Sequence, residues 1–143
     1  MKHIIKSLYL YILLFLFPIC LFAIDLENST CIGGDCKNGV GTLAFENGNR
    51  YEGSFKDGKL EGQGVFFFEN GDLYNGEVKE NNFNGNGTYT YTNGDQFTGE
   101  FLDGFFRYGT LTTQKGNRFV GKFDNNRMHG QGVLYDSSGK NIY

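Results

Sequence analysis

An aromatic residue, a glycine two positions on and a second apolar residue two further on recur through most of this chain at a spacing of 22 or 23 residues. Tyr51-Glu52-Gly53-Ser54-Phe55 is the first full copy, followed by Tyr74-Asn75-Gly76-Glu77-Val78, Phe97-Thr98-Gly99-Glu100-Phe101 and Phe119-Val120-Gly121-Lys122-Phe123. A fixed period of this length marks a repeat array, whose units bury their apolar faces only against their neighbours. Further glycines keep the same beat: Gly62 and Gly64, Gly85 and Gly87, Gly109 alone, Gly130 and Gly132, and then Gly71, Gly94, Gly116 and Gly139. Gly39, Gly41 and Gly48 outline a degenerate first unit, and Ile142-Tyr143 looks like the stub of another.

The chemistry within a unit is that of paired strands. Tyr51, Gly53 and Phe55 share a face at a period of two, the strand period. After the paired glycines come Val65-Phe66-Phe67-Phe68 and Thr88-Tyr89-Thr90-Tyr91, β-branched and aromatic runs that suit strands. Asn47-Gly48, Asn70-Gly71 and Asn93-Gly94 read as two-residue hairpin turns with both positions at positive φ; Lys115-Gly116 and Ser138-Gly139 are weaker versions. No helical period follows residue 23. The predicted fold is therefore all-β: an elongated single antiparallel sheet, a meander of tandem β-hairpins, behind an N-terminal signal helix. At about 4.8 Å per strand, five units would extend roughly 45–50 Å. A glycine between two large residues leaves a gap that a cross-strand ring can cover. One face should thus be a ladder of rings over glycines, with no second layer. The 22 glycines would suggest disorder, but aromatics at 17% supply the apolar area that disordered chains lack.

Residues 1–23 read as an export signal. Lys2 and Lys6 precede an uncharged stretch from Leu8 to Ala23, and Ala23 is small enough for a signal peptidase. The alternative is an uncleaved anchor, since the stretch lies at the lower edge of spanning length. A short lead at 24–35 then precedes an array at 36–143, with units at about 28–50, 51–73, 74–96, 97–118 and 119–141. The expected location is periplasmic, cell-surface or secreted. In an exported chain, Cys31 and Cys36 form a disulfide candidate closing a small loop.

The stretch 51–73 resembles the MORN repeat (membrane occupation and recognition nexus), of the form Y-x-G-x-F-x-x-G-x-x-x-G-x-G-x-x-x-x-x-x-G, through Tyr51, Gly53, Phe55, Gly58, Gly62, Gly64 and Gly71. Residues 74–96 carry Asn81 at the middle glycine and Val78 for Phe; residues 119–141 carry Asn126 at the middle position. Residues 97–118 keep Gly99 and Gly104 but are one residue short before Gly109, which predicts a bend or a loosened register around 104–109. The resemblance implies a curved, elongated antiparallel sheet. It implies scaffolding, dimerisation or lipid roles only loosely.

Composition and site chemistry narrow the function. The net charge is −3, or −5 without Lys2 and Lys6, and no basic run exists. A phosphate-tracking groove needs clustered Lys and Arg, so nucleic acid is not an expected partner. His129 has no nucleophile or metal grouping around it in sequence. The calcium-loop likeness of Glu80-Asn81-Asn82-Phe83-Asn84-Gly85 fails at Tyr91, where a bidentate Glu belongs. The Gly-x-Gly pairs lack the helix and Lys-Ser/Thr of a phosphate loop. No enzyme activity and no cofactor are expected. Glu77 and Glu100 read as an exposed row. The expectation is an interaction or scaffold module binding a protein partner or itself, with Phe67, Phe105, Phe106 and Tyr108 as candidate contacts. A membrane or glycan surface is the alternative; the acidic balance and the absence of Trp count against these.

Overall fold

The computed structural model describes residues 24–142. The expected signal helix and Tyr143 of the C-terminal stub lie outside the described residues. Ten strands form one open antiparallel sheet in chain order: β1 (Ser29–Gly34), β2 (Val40–Phe45), β3 (Arg50–Lys56), β4 (Lys59–Phe67), β5 (Leu73–Lys79), β6 (Asn82–Thr90), β7 (Gln96–Leu102), β8 (Phe105–Thr112), β9 (Arg118–Asp124) and β10 (Arg127–Tyr135). The meander expected from the period is thus the fold observed, and the N-terminal lead supplies its first strand.

One glycine from every strand is Cα-paired with the next, giving a row across the sheet through Gly34, Gly41, Gly53, Gly64, Gly76, Gly87, Gly99, Gly109, Gly121 and Gly132. The row exists because rings lie on it. A Cβ on Gly64 would collide with the Tyr51 ring, and one on Gly76 would come 2.5 Å from the Gly87 Cα and 2.6 Å from the Asn86 carbonyl oxygen. Residues four apart on a strand are about 13 Å apart along the backbone. Yet the rings of Tyr51 and Phe55 are 5.3 Å apart, those of Phe97 and Phe101 5.3 Å, and those of Phe119 and Phe123 5.5 Å. Each pair leans together over its glycine. Tyr51, Leu60, Tyr74 and Phe97 are fully buried on this face, so a single sheet makes a core from its own rings.

The first tyrosines also anchor their tips: the Tyr51 hydroxyl donates to the Ser54 carbonyl (3.1 Å) and that of Tyr74 to the Glu77 carbonyl (2.6 Å). Burial pushes the Tyr51 phenol up to about 12 and raises those of Tyr74 and Tyr91 as well. An unfolded tyrosine ionises near ~10. A phenol whose pKa is raised by folding stabilises fully below the unfolded value and loses that contribution as pH rises through the folded one. Melting temperature should therefore decline from about pH 10 toward 12. Tyrosinate absorbance should rise together with the loss of β-sheet circular dichroism. Tyrosines that all ionise near ~10 in the folded chain would contradict this.

The turns are distributed differently from the sequence expectation. Two-residue turns with both φ values positive lie inside the units, at Asp57-Gly58 (50° and 74°), Glu80-Asn81 (49° and 62°), Asp103-Gly104 (49° and 85°) and Asn125-Asn126 (48° and 60°). At the Asn-Gly pairs only the glycine is left-handed, and its N–H bonds three residues back: Gly48 to the Phe45 carbonyl, Gly71 to Phe68 and Gly94 to Tyr91. These are three-residue loops ending in a left-handed glycine. The asparagine is held otherwise because its side-chain oxygen accepts the amide two residues on, as in Asn47 to Asn49, Asn70 to Asp72 and Asn93 to Asp95.

The shortened unit does not lose its register. In the other full hairpins the ladder is bulged below the glycine row: Gly53 pairs with Gly64, and Phe55 next pairs with Leu60. In β7 and β8, Glu100 pairs with Tyr108 and Phe101 with Phe106, a smaller bulge, and Gly99 still pairs with Gly109. The missing residue comes out of the bulge, where nothing on the core face depends on it.

Candidate interaction surfaces

Each hairpin turn is tied to the hairpin before it. The Asn81 side-chain oxygen accepts the Leu60 N–H (2.8 Å), and the Asn81 N–H donates to the Leu60 carbonyl (3.3 Å). The Asn126 oxygen accepts the Phe106 N–H (2.7 Å), and the Gly104 N–H donates to the Phe83 carbonyl (2.9 Å). Asn81 and Asn126 look in sequence like failures of the middle glycine. They are the two residues there that keep a left-handed backbone and add an acceptor, a capacity Asn has and most residues lack. On the opposite edge, Asn49, Asp72 and Asp95 each accept the backbone N–H of a residue in the next loop, Glu69, Thr92 and Gln114 respectively. Asp72 is the buried one. Burial pushes its carboxyl up, but the Thr92 amide, the Tyr89 and Thr92 hydroxyls and the Asn70 amide outweigh that and hold it below the usual range.

The four candidate contact residues separate. Phe106 is 2% exposed and stacks on Phe97 at 3.9 Å, with Phe101 and Phe123 edge-on to it. It is a core residue at the position of Leu60 and Phe83, which removes it from the surface set. Phe105 is half-buried. Phe67 is half-buried on the other face, with the Arg50 guanidinium 4.2 Å above its ring. Tyr108 is 54% exposed, Cα-paired with Glu100 on one side and Lys122 on the other. Glu100 is exposed, whereas Glu77 is half-buried and accepts the Asn86 N–H at 2.9 Å. His129 is exposed. Among the described residues no three His, Cys, Asp or Glu are grouped to hold a metal, and no helix is long and apolar enough to cross a membrane.

The two ends of the sheet are finished differently. At β1 the Cys31 and Cys36 sulfurs lie at disulfide distance, 2.08 Å, tying the edge strand to the following turn. The β1 ladder shifts between Cys31 and Gly33, which interrupts a regular edge. Residues 24 and 26 pack on the core beside it. At β10, among the described residues, the bridge from Tyr135 to Asn141 and the Ile142 N–H to the Leu134 carbonyl lie at the end of the strand. Met128 occupies the place that Leu60, Phe83 and Phe106 hold at 0%, 2% and 2% exposure, but is itself 57% exposed. It is an uncovered core position, which sequence parity could have flagged by alignment with those three.

A sequential ladder of hairpins, each tied to the next through its turns, defines a β-hairpin repeat array built to present long edges and faces. The MORN repeat model matches residues 37–50, 51–73, 74–96 and 119–140, more than half of the chain, and the chain belongs to that family. The stretch it passes over contains the shortened unit. Arrays of this family generally mediate protein or membrane interactions. No curated protein matches the chain.

Proposed function

We propose that the chain is an exported, non-catalytic interaction module whose C-terminal sheet edge docks a protein partner, and that the partner is a second copy. The supporting observation is the state of β10. Among the described residues Met128 is 57% exposed at a position that is buried in the preceding hairpins, and the β10 edge is bridged only near Tyr135. The β1 edge, which also exposes Ile32 (61%), is instead bulged and carries the Cys31–Cys36 link. An open edge offers unpaired backbone groups and here an apolar contact beside them. Two β10 edges meeting antiparallel would form an isologous interface that closes on itself. The export reading rests on Lys2, Lys6 and the apolar stretch ending at Ala23.

Size-exclusion chromatography with light scattering tests the docking. The chain starting at Ile24 is expected to run at twice its monomer mass. Met128→Glu should return it to a folded monomer, and the melting temperature should lose the dependence on protein concentration that a dimer confers. A wild-type chain that stays monomeric at high concentration would sink the self-association.

A further inference from the structure

We infer that residues 24–28 are a clasp set by proteolytic processing: removal of residues 1–23 leaves Ile24 as an amino terminus that docks on the backbone carbonyl of Asn81. The processing half of this rests on the export reading above; the clasp itself rests on the geometry. Residues 24–28 run from the β5–β6 turn to the start of β1, across the core face of the first units. Ile24 and Leu26 are half-buried against the core, while Asp25 and Glu27 are exposed. That alternation is the strand period carried by a segment outside the sheet. The path is fixed at both ends and in the middle. The Ile24 nitrogen donates to the Asn81 carbonyl (2.7 Å), and the Asp25 carboxylate accepts the Glu27 N–H (2.9 Å). The Ser29 hydroxyl donates to the Leu26 carbonyl (2.7 Å), and the Glu46 N–H donates to the Asn28 carbonyl (3.0 Å).

Asn81 is where this segment joins the array. Its backbone N–H and side-chain oxygen already hold Leu60. Its carbonyl is the atom that receives Ile24, so one left-handed residue ties three parts of the chain together. The bond before Ile24 follows Ala23, the small residue at the end of the apolar stretch. Hydrolysis by a signal-peptidase-type protease adds one water across that peptide bond. The carboxylate leaves on Ala23, and the nitrogen stays on Ile24 as an ammonium. An α-amino group titrates near ~7.7–8.0, so it is charged at neutral pH. It keeps a proton for the Asn81 carbonyl, and the hydrogen bond becomes charge-assisted and stronger. A cut two residues later would delete both the donor and one of the two inward apolar side chains.

Three purified chains test this: one starting at Ile24 with a free amino group, the same chain acetylated on that group, and one starting at Glu27. All keep β1 whole, since it begins at Ser29. The free Ile24 chain should melt highest. The Glu27 chain should melt roughly 3–5 °C lower, with amide exchange at Leu60 and Asn81 faster by about tenfold. The acetylated chain should fall between them. Equal melting and exchange in all three would remove the clasp, and equality of the free and acetylated chains would remove the role of processing. The amino terminus of the protein from its host, read by intact mass, is scored separately. A terminus at Ile24 with three indistinguishable chains would leave the export reading standing and the clasp refuted. A retained 1–23 segment would refute the processing half whatever the purified chains do.

Discussion

Replacing Gly76 by alanine should cost about 3 kcal/mol of folding stability, read as a lowered midpoint in urea unfolding. The added methyl has nowhere to go. It would meet the Gly87 Cα at 2.5 Å, the Asn86 carbonyl at 2.6 Å and the Tyr74 hydroxyl at 2.7 Å, and the first two belong to the backbone of the neighbouring strand. Relief would need β5 and β6 to move apart in the middle of the sheet, against the ladder and the ring above it. Gly58→Ala is the matched control. Gly58 has a φ of 74° but nothing within 4 Å of a built Cβ, so only the left-handed backbone opposes the methyl, at about 1 kcal/mol. Equal costs at the two positions would mean that the glycine row is not close-packed. Gly58→Asn should be nearly silent, because Asn81 and Asn126 hold the equivalent place.

The second large effect separates Phe106 from Tyr108, two aromatic residues two positions apart. Phe106→Ala should lose about 3–5 kcal/mol, the range for emptying a buried phenylalanine site. Phe97 would lose its stacked neighbour at 3.9 Å, and Phe101 and Phe123 would lose an edge contact. Tyr108→Ala, at a site 54% exposed, should stay within about 0.5 kcal/mol. If instead Tyr108→Ala were the damaging change, the assignment of the shortened bulge would be wrong. Urea unfolding of the two variants under one condition decides the matter.

That pair also indicates what the sequence could and could not convey. The period and the alternation of Tyr51, Gly53 and Phe55 carry the strands, their order and the face of the rings, because these depend on spacing alone. Phe106 reads in sequence as one of an aromatic run in the shortened unit, and its burial depends on the bulge that follows it. Counting forward from the turn at Gly104 puts it at the position of Leu60, whereas its place in a run of aromatics suggests a surface patch. The turns were misassigned because Asn-Gly suits both a two-residue turn and the end of a three-residue loop. The choice is made by a side-chain bond, such as Asn70 to Asp72, that spacing does not encode. The uncovered Met128 and the seating of Ile24 on Asn81 depend on which hairpin lies beside which, information held by the folded sheet and not by any local stretch.

Because strands adjacent in sequence are adjacent in the sheet throughout, the array has a simple mechanical character. Tension applied to the end of the chain after β10 acts across the ladder, so it loads the bonds of one hairpin at a time instead of shearing many together. Such a sheet should peel from its open end, one strand after another, at low force and in steps set by the repeat. From the other end the first resistance would come from the Asn81 carbonyl and the Cys31–Cys36 link. The protein would then be compliant when drawn from one side and stiffer when drawn from the other.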